Sequence, residues 1–213
     1  MSELSAYVKL LTDYGIMLVL SGIVLYILMK IVNINLARYE QYVNRNKHDK
    51  ALDLKFSIDQ QVYDCISQLL ESSEIDRVLV IGFSNSVQSV AYLPYKYMEC
   101  NYEVHNIDKT DVGHKIKQLN TSLFSRFFTI LHNNDYCIFD INRDSYIGGA
   151  MQELMQAQNE HHALCILLKT SKGKPIGYLQ LTTDSDRNFS NNTIDNALTT
   201  AQKVSALLSV MDK

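Results

Sequence analysis

One uncharged apolar stretch constrains this chain more than any other feature. No Lys, Arg, Asp or Glu occurs from Tyr14 to Met29, and the apolar run continues past Lys30 to Val32. As a helix, about 19 residues reach roughly 28 Å, close to the ~30 Å thickness of bilayer hydrocarbon. The stretch predicts a single transmembrane helix over 14–32. Lys30 stands near its end, where a long side chain can carry its ammonium to the headgroups, and Tyr14 and Tyr26 offer amphipathic rings as interface anchors. A cleavable signal peptide would need a basic leader and a small-x-small site. Here Lys9 is offset by Glu3 and Asp13, and Met29, Lys30, Ile31, Val32 and Asn33 provide no such site. A buried core helix would show a polar face or Gly and Pro stops.

Gly15 and Gly22 are one heptad apart and share a helix face, with Ser21 beside it. Small residues allow close backbone approach between helices in lipid, so Gly15, Ser21 and Gly22 form a candidate packing face for self-association into a homo-oligomer. Ahead of the span, Leu4, Val8 and Leu11 recur at helical spacing, and the tail 1–13 reads as an amphipathic helix on the membrane surface. After it, 33–53 is polar and lacks Gly and Pro, which favours a helical stalk.

From Leu54 the pattern sharpens. Ile58, Val62, Cys65, Ile66, Leu69 and Leu70 make one apolar stripe, so a soluble domain is expected over 54–213. Residues 77–83 form a short β-branched run suited to a buried strand, and 90–104 reads as further extended structure interrupted at Pro94. Residues 110–131 carry Ile116, Leu119, Leu123, Phe127 and Ile130 at helical intervals, with Thr110 or Asp111 as the cap of one or two short helices. A strand follows at 136–141 and a helix at 146–159, with Met151, Leu154 and Met155 inward. Residues 163–169 and 175–182 read as a hairpin around Ser171, Lys172, Gly173 and Lys174. Ser190 or Asn191 caps a closing helix with Ile194, Leu198, Ala201, Val204, Leu208 and Met211 on one face.

These elements predict an α+β domain with an antiparallel sheet and flanking helices that cover one of its faces. The order resembles the GAF and PAS sensor class, a likeness of architecture that leaves function open.

The net charge of −3 gives no global basic field, so nucleic acid is not an expected partner. Cys65, Cys100, Cys137 and Cys165 are widely spaced, show no CxxC or Cys/His cadence, and read as buried free thiols. No P-loop, dinucleotide-binding glycine pattern, GxSxG or HExxH occurs, and the pair Gly148 and Gly149 reads as a loop or tight helix contact. Adjacent His161 and His162 diverge, while His105 and His114 lack the spacing of a closed metal site. Glu99, Glu103, Asp108 and Asp111 read as solvated loop acids. The expectation is no catalytic residue, no metal, no cofactor and no enzyme.

The layout of short tail, span, stalk and α+β domain resembles the T-type holins of T-even and related bacteriophages. The run 176–195, IleGlyTyrLeuGlnLeuThrThrAspSerAspArgAsnPheSerAsnAsnThrIleAsp, followed by AlaGlnLysValSerAlaLeuLeu at 201–208, carries most of it. The resemblance implies oligomeric lesions in the host inner membrane that release an endolysin and time host cell lysis. It places the N-terminus in the cytoplasm and the domain in the periplasm, with an antiholin as partner. The family's disulfide would take Cys165, but its second position here is Thr200. Lys30, Arg38, Arg45, Lys47 and Lys50 follow the span, and the positive-inside rule would put the domain in the cytoplasm instead. The rival expectation is a membrane-tethered GAF-like sensor or adaptor that binds a small molecule or protein partner.

Overall fold

The computed structural model describes residues 2–84, 96–141, 143–157, 159–184 and 188–211. The extended structure expected before Tyr97, with Pro94, lies outside them for its first part. The chain divides into two compact units, Met1–Leu54 and Lys55–Lys213.

Helix α1 runs Ser2–Glu71, with residues 2–54 in the first unit and residues 55–71 in the second. Tyr14, Met17, Ile23, Tyr26, Ile27 and Val32 are exposed along it. Among the described residues no helix is long and apolar enough to cross a membrane. The transmembrane helix expected over 14–32 is therefore corrected to one stretch of α1. An apolar run records that a helix surface avoids water, and it does not record whether lipid or protein replaces that water.

The second unit is built on a six-stranded antiparallel sheet in the order β3-β2-β1-β6-β5-β4. Its strands are β1 Arg77–Ser84, β2 Tyr97–His105, β3 Leu119–Asn120, β4 Tyr136–Asp140, β5 His162–Lys169 and β6 Pro175–Thr183. Helices α2 Ser125–Asn134, α3 Gly149–Gln156 and α4 Asn191–Met211 complete it. Strand β1 pairs with β2 on one side and β6 on the other, and the expected hairpin is β5–β6.

Alternation along the strands builds two cores. Val78, Val80, Leu164, Ile166, Leu179 and Leu181 face Ile58, Val62, Ile66 and Leu69 of α1 and Ala197, Ala201 and Val204 of α4. On the opposite face, Leu79, Ile81, Phe139, Cys165 and Tyr178 pack against Phe127 and Leu131 of α2 and Met151 and Met155 of α3. The expectation of helices on one face is thus corrected to two covered faces. Central strands buried on both sides need apolar residues at every position, which explains the unbroken run from Val78 to Ile81. Tyr102 ties the α1 face to the sheet, donating its hydroxyl to Asp59 and meeting Tyr63 edge-on at 5.2 Å.

Candidate functional site

Two polar or accessible features interrupt the α2 face of the sheet. The first is a cleft at the open end of β1. Asn120 caps the 3-10 turn Thr121–Phe124, its side chain accepting from the Ser122 N–H at 3.0 Å. That turn feeds α2, which ends where Asp135 turns left-handed at φ 62°. The helical spacing of Phe124, Phe127, Phe128 and Leu131 aims this edge of α2 at the sheet. Phe127 is fully buried and meets Tyr178 at 5.4 Å, whereas Phe128 is half-buried and meets Phe83 edge-on at 5.3 Å. The resulting cleft of about 390 Å³ is walled by Phe83, Phe128, Leu167 and Pro175, with Thr121, Ser122, Ser125, Thr129 and His132 also on its lining. Its size and its apolar wall with a few convergent polar groups are those of a small-molecule pocket.

The second feature is an ionic cluster around Arg77, which opens β1 and is 1% exposed. Its Nε lies 3.2 Å from Glu103 Oε1, its Nη1 lies 3.1 Å from Glu160 Oε1, and its Nη2 donates to the Thr110 carbonyl at 2.8 Å. Glu103 also accepts from the N–H groups of Val112, at 3.0 Å, and Gly113, at 2.6 Å. One guanidinium and one carboxylate therefore clasp the segment after β2 to the sheet. Burial pushes the Glu103 carboxyl up, and its hydrogen bond with Asp111 pushes it further. The same bond holds Asp111 below its ordinary value. Glu160 is also pushed up by burial, against the pull of Arg77.

Glu103 corrects the expectation of a solvated loop acid, because it stands inside β2 with its side chain 8% exposed. Sequence reasoning missed the cluster. The available signal was an arginine at the head of an otherwise apolar strand, which a buried site tolerates only with partners.

The thiols of Cys65, Cys100, Cys137 and Cys165 are free, with Cys137 directly opposite Cys165 across β4 and β5. Burial, aided by Glu103 and Asp111, pushes the Cys100 thiol up to about 12. Among the described residues no group of three or more His, Cys, Asp or Glu side chains is placed to hold a metal ion. Gly148, at φ +95°, makes the turn into α3. The residues singled out on α1 belong to the first unit. Tyr14, Ser21 and Tyr26 are exposed, Lys30 Nζ sits 5.9 Å over the Tyr26 ring, and a Cβ added at Gly15 or Gly22 would meet nothing within 4 Å.

No family model matches the chain, and no curated protein matches it. Solved structures do. A GAF domain/HD domain protein from Geobacter sulfurreducens is similar at TM-score 0.54 and 12% identity, over 73% of this chain and 94% of that one. A Synechocystis GAF domain in its photoproduct state reaches TM-score 0.57 at 12% identity, over 73% of this chain and 95% of that one. The blue-light absorbing form of the Thermosynechococcus elongatus PixJ GAF domain reaches 0.55 at 13%, over 73% and 89%.

These likenesses overturn the resemblance to T-type holins, whose implied lesions, antiholin and lysis timing lose their basis. The inner-membrane placement with a periplasmic domain falls with them, since among the described residues no helix is long and apolar enough to cross a membrane. Residues 176–208 resembled the holin pattern because a strand, a polar loop and a capped helix recur wherever a helix closes over a sheet. At 12–13% identity the likeness is one of fold, and the fold of this chain is that of a GAF domain.

Proposed function

We propose that this protein is a sensing module that binds a small, largely apolar molecule in the cleft beside α2, and that it acts as a binding domain rather than an enzyme. The cleft itself carries the reading: half-buried Phe83 and Phe128 hold apolar surface open to solvent, while Ser125 and Thr129 offer hydroxyls at its rim. The names of similar structures, which include the chromophore-binding domain of a bacteriophytochrome from R. palustris, support a ligand-binding use of the fold.

The test uses 8-anilinonaphthalene-1-sulfonate as a fluorescent apolar probe on the full chain. Ser125 is exposed and lines the cleft, so Ser125→Trp fills it without disturbing the core. Saturable probe binding weakened about tenfold or more in Ser125→Trp is the expected result. Equal binding in the two proteins would remove the cleft as the site.

A second reading rests on the exposed apolar residues of α1. We infer that copies of the chain associate through this helix, because an extended apolar helix surface is stable only under cover. Gly15 and Gly22 would let two helices approach closely. Gly22→Leu adds a side chain that meets nothing within the chain, so it is expected to leave the fold intact and weaken association about tenfold or more in sedimentation equilibrium. A wild-type chain that stays monomeric at every concentration removes the reading.

A further inference from the structure

Strand β4 lies at the edge of the sheet, and among the described residues it pairs with β5 alone. In that ladder Cys137 stands directly opposite Cys165, so the two side chains share one face. That face packs on α2 and α3, where both thiols join the core that holds Phe127, Phe139 and Tyr178. The phase of the ladder fixes their spacing. The Leu167 N–H donates to the Asp135 carbonyl and the Ile141 N–H to the His161 carbonyl, both at 2.8 Å, so every second pair between them is hydrogen-bonded. Cys137 and Cys165 are one of those pairs. Such a pair sets its Cα atoms about 5.5 Å apart, at the commonest separation for a disulfide, about 5.5–6 Å.

The other two thiols stand elsewhere, Cys65 on α1 and Cys100 on β2 opposite Ile81. Burial governs when the opposed pair reacts. Cys165 is fully buried and Cys137 is 7% exposed. Burial pushes the Cys165 thiol up, and its hydrogen bond with Cys137 pushes it further, which keeps the pair unreactive while the sheet is closed. Strand β4 is the weak point of the ladder, because it has five residues and bonds along one edge. Short edge elements open locally at far lower cost than the whole domain.

We propose that Cys137 and Cys165 form a thiol–disulfide switch, which fastens the edge strand β4 to β5 when a small-molecule disulfide oxidises the pair. The proposal stands independently of the cleft beside α2. As β4 opens, the Cys137 thiolate attacks one sulfur of the oxidant, breaks its S–S bond and releases one thiol, which takes up the Cys137 proton. Cys165 then gives its proton to water and attacks Cys137 Sγ. The Sγ–Sγ bond forms, and the second small-molecule thiolate leaves and is protonated. Two electrons pass from the protein to the oxidant, so two protein thiols are replaced by two small-molecule thiols. The new bond closes residues 138–164, with α3 among them, into a loop.

The test equilibrates the full chain with glutathione at graded ratios of disulfide to thiol, quenches it in acid, alkylates the remaining thiols and maps the peptides by mass spectrometry. The expected result is one step in which Cys137 and Cys165 lose their thiols together, their joined peptides weighing about 2 Da less than the two free ones. In hydrogen exchange, the amides of Cys137 and Phe139 are expected to slow about tenfold or more in the oxidised chain. Cys137→Ala is expected to abolish both effects, and mapping of the native chain keeps the test decisive if that variant fails to fold. Thiols that persist at the most oxidising ratio overturn the proposal. So do separate glutathione adducts on Cys137 and Cys165, a bond from either to Cys65 or Cys100, or a Cys137–Cys165 bond that leaves exchange in β4 unchanged.

Discussion

Replacing Arg77 with methionine will cost the domain about 3–5 kcal/mol in urea unfolding at neutral pH, the usual penalty for removing one partner of a buried ion pair. Methionine matches much of the arginine stem in volume, so the loss is electrostatic rather than a packing defect. Glu103 and Glu160, both facing the vacated guanidinium, would be left as buried carboxylates without their counter-ion. The Thr110 carbonyl loses its donor as well, and the segment that Glu103 grips through Val112 and Gly113 loosens at one end. Glu160→Gln is the milder change, because it removes a charge that burial already disfavours.

The pH dependence follows from the direction of these shifts. Glu160 is raised in the folded state, so its contribution is fully present below its unfolded value, near 4.5, and is lost as pH rises through the folded value. Glu103 acts in the same sense. Asp111, which is lowered, acts in the opposite sense: its contribution is present above its unfolded value, near 3.8, and lost as pH falls. The Arg77→Met deficit is therefore expected to shrink as pH falls from neutral toward about 4.5, when the orphaned carboxyls protonate. Glu160→Gln in the native background should flatten the fall in stability between about 4.5 and neutrality. A deficit independent of pH would show that the cluster acts through packing alone.

Gly177→Ala is the second large effect, and it acts through the backbone. Gly177 lies in β6 opposite Gly82 of β1, in the middle of the sheet. A Cβ there would fall 2.1 Å from the Ile81 carbonyl oxygen and 3.1 Å from the Gly82 Cα. Both neighbours are main chain, so no side chain can swing away, and the β1–β6 ladder must open instead. A loss of about 3 kcal/mol is expected, the upper range for overpacking a core. In a domain of this size that lowers the melting temperature by about 6–12 °C in calorimetry. Gly149→Ala is the control: it opens α3, a Cβ there meets nothing within 4 Å, and its melting temperature should stay near that of the native chain.

Much of the domain was legible because burial writes a period into the chain. The run Val78–Ile81 announced β1, the turn residues around Gly173 announced the β5–β6 hairpin, and Ser190 announced α4. In the structure the Thr193 N–H donates to Ser190 Oγ at 3.1 Å, as an N-cap requires. The stretch 110–131 was not legible as it folds. Its helical spacing of Ile116, Leu119, Leu123 and Phe127 predicted helix from Thr110 onward, but α2 begins only at Ser125. The Glu103 carboxylate draws the amides of Val112 and Gly113 into a turn, and Gln118 adopts φ 54°, so the apolar residues reach the core from 3-10 turns and the short β3.

The candidate sites divide the same way. Nothing in the sequence set Phe83 or Phe128 apart, and only their meeting across β1 and α2 leaves a cleft beside them. Cys137 and Cys165 become neighbours only through the β4–β5 register.

What the amino-acid order determined by itself is the set of strands and helices with strong periodicity, since each such face is chosen by local exclusion from water. It also marked residues 14–32 as a surface that avoids water. Only tertiary structure decided that both faces of the sheet are covered, that Arg77 meets Glu103 and Glu160, and that the apolar run is part of α1 rather than a separate span. The reason is physical: hydrophobicity says that a surface must be covered, whereas the identity of the cover depends on which distant segments chain geometry brings against it.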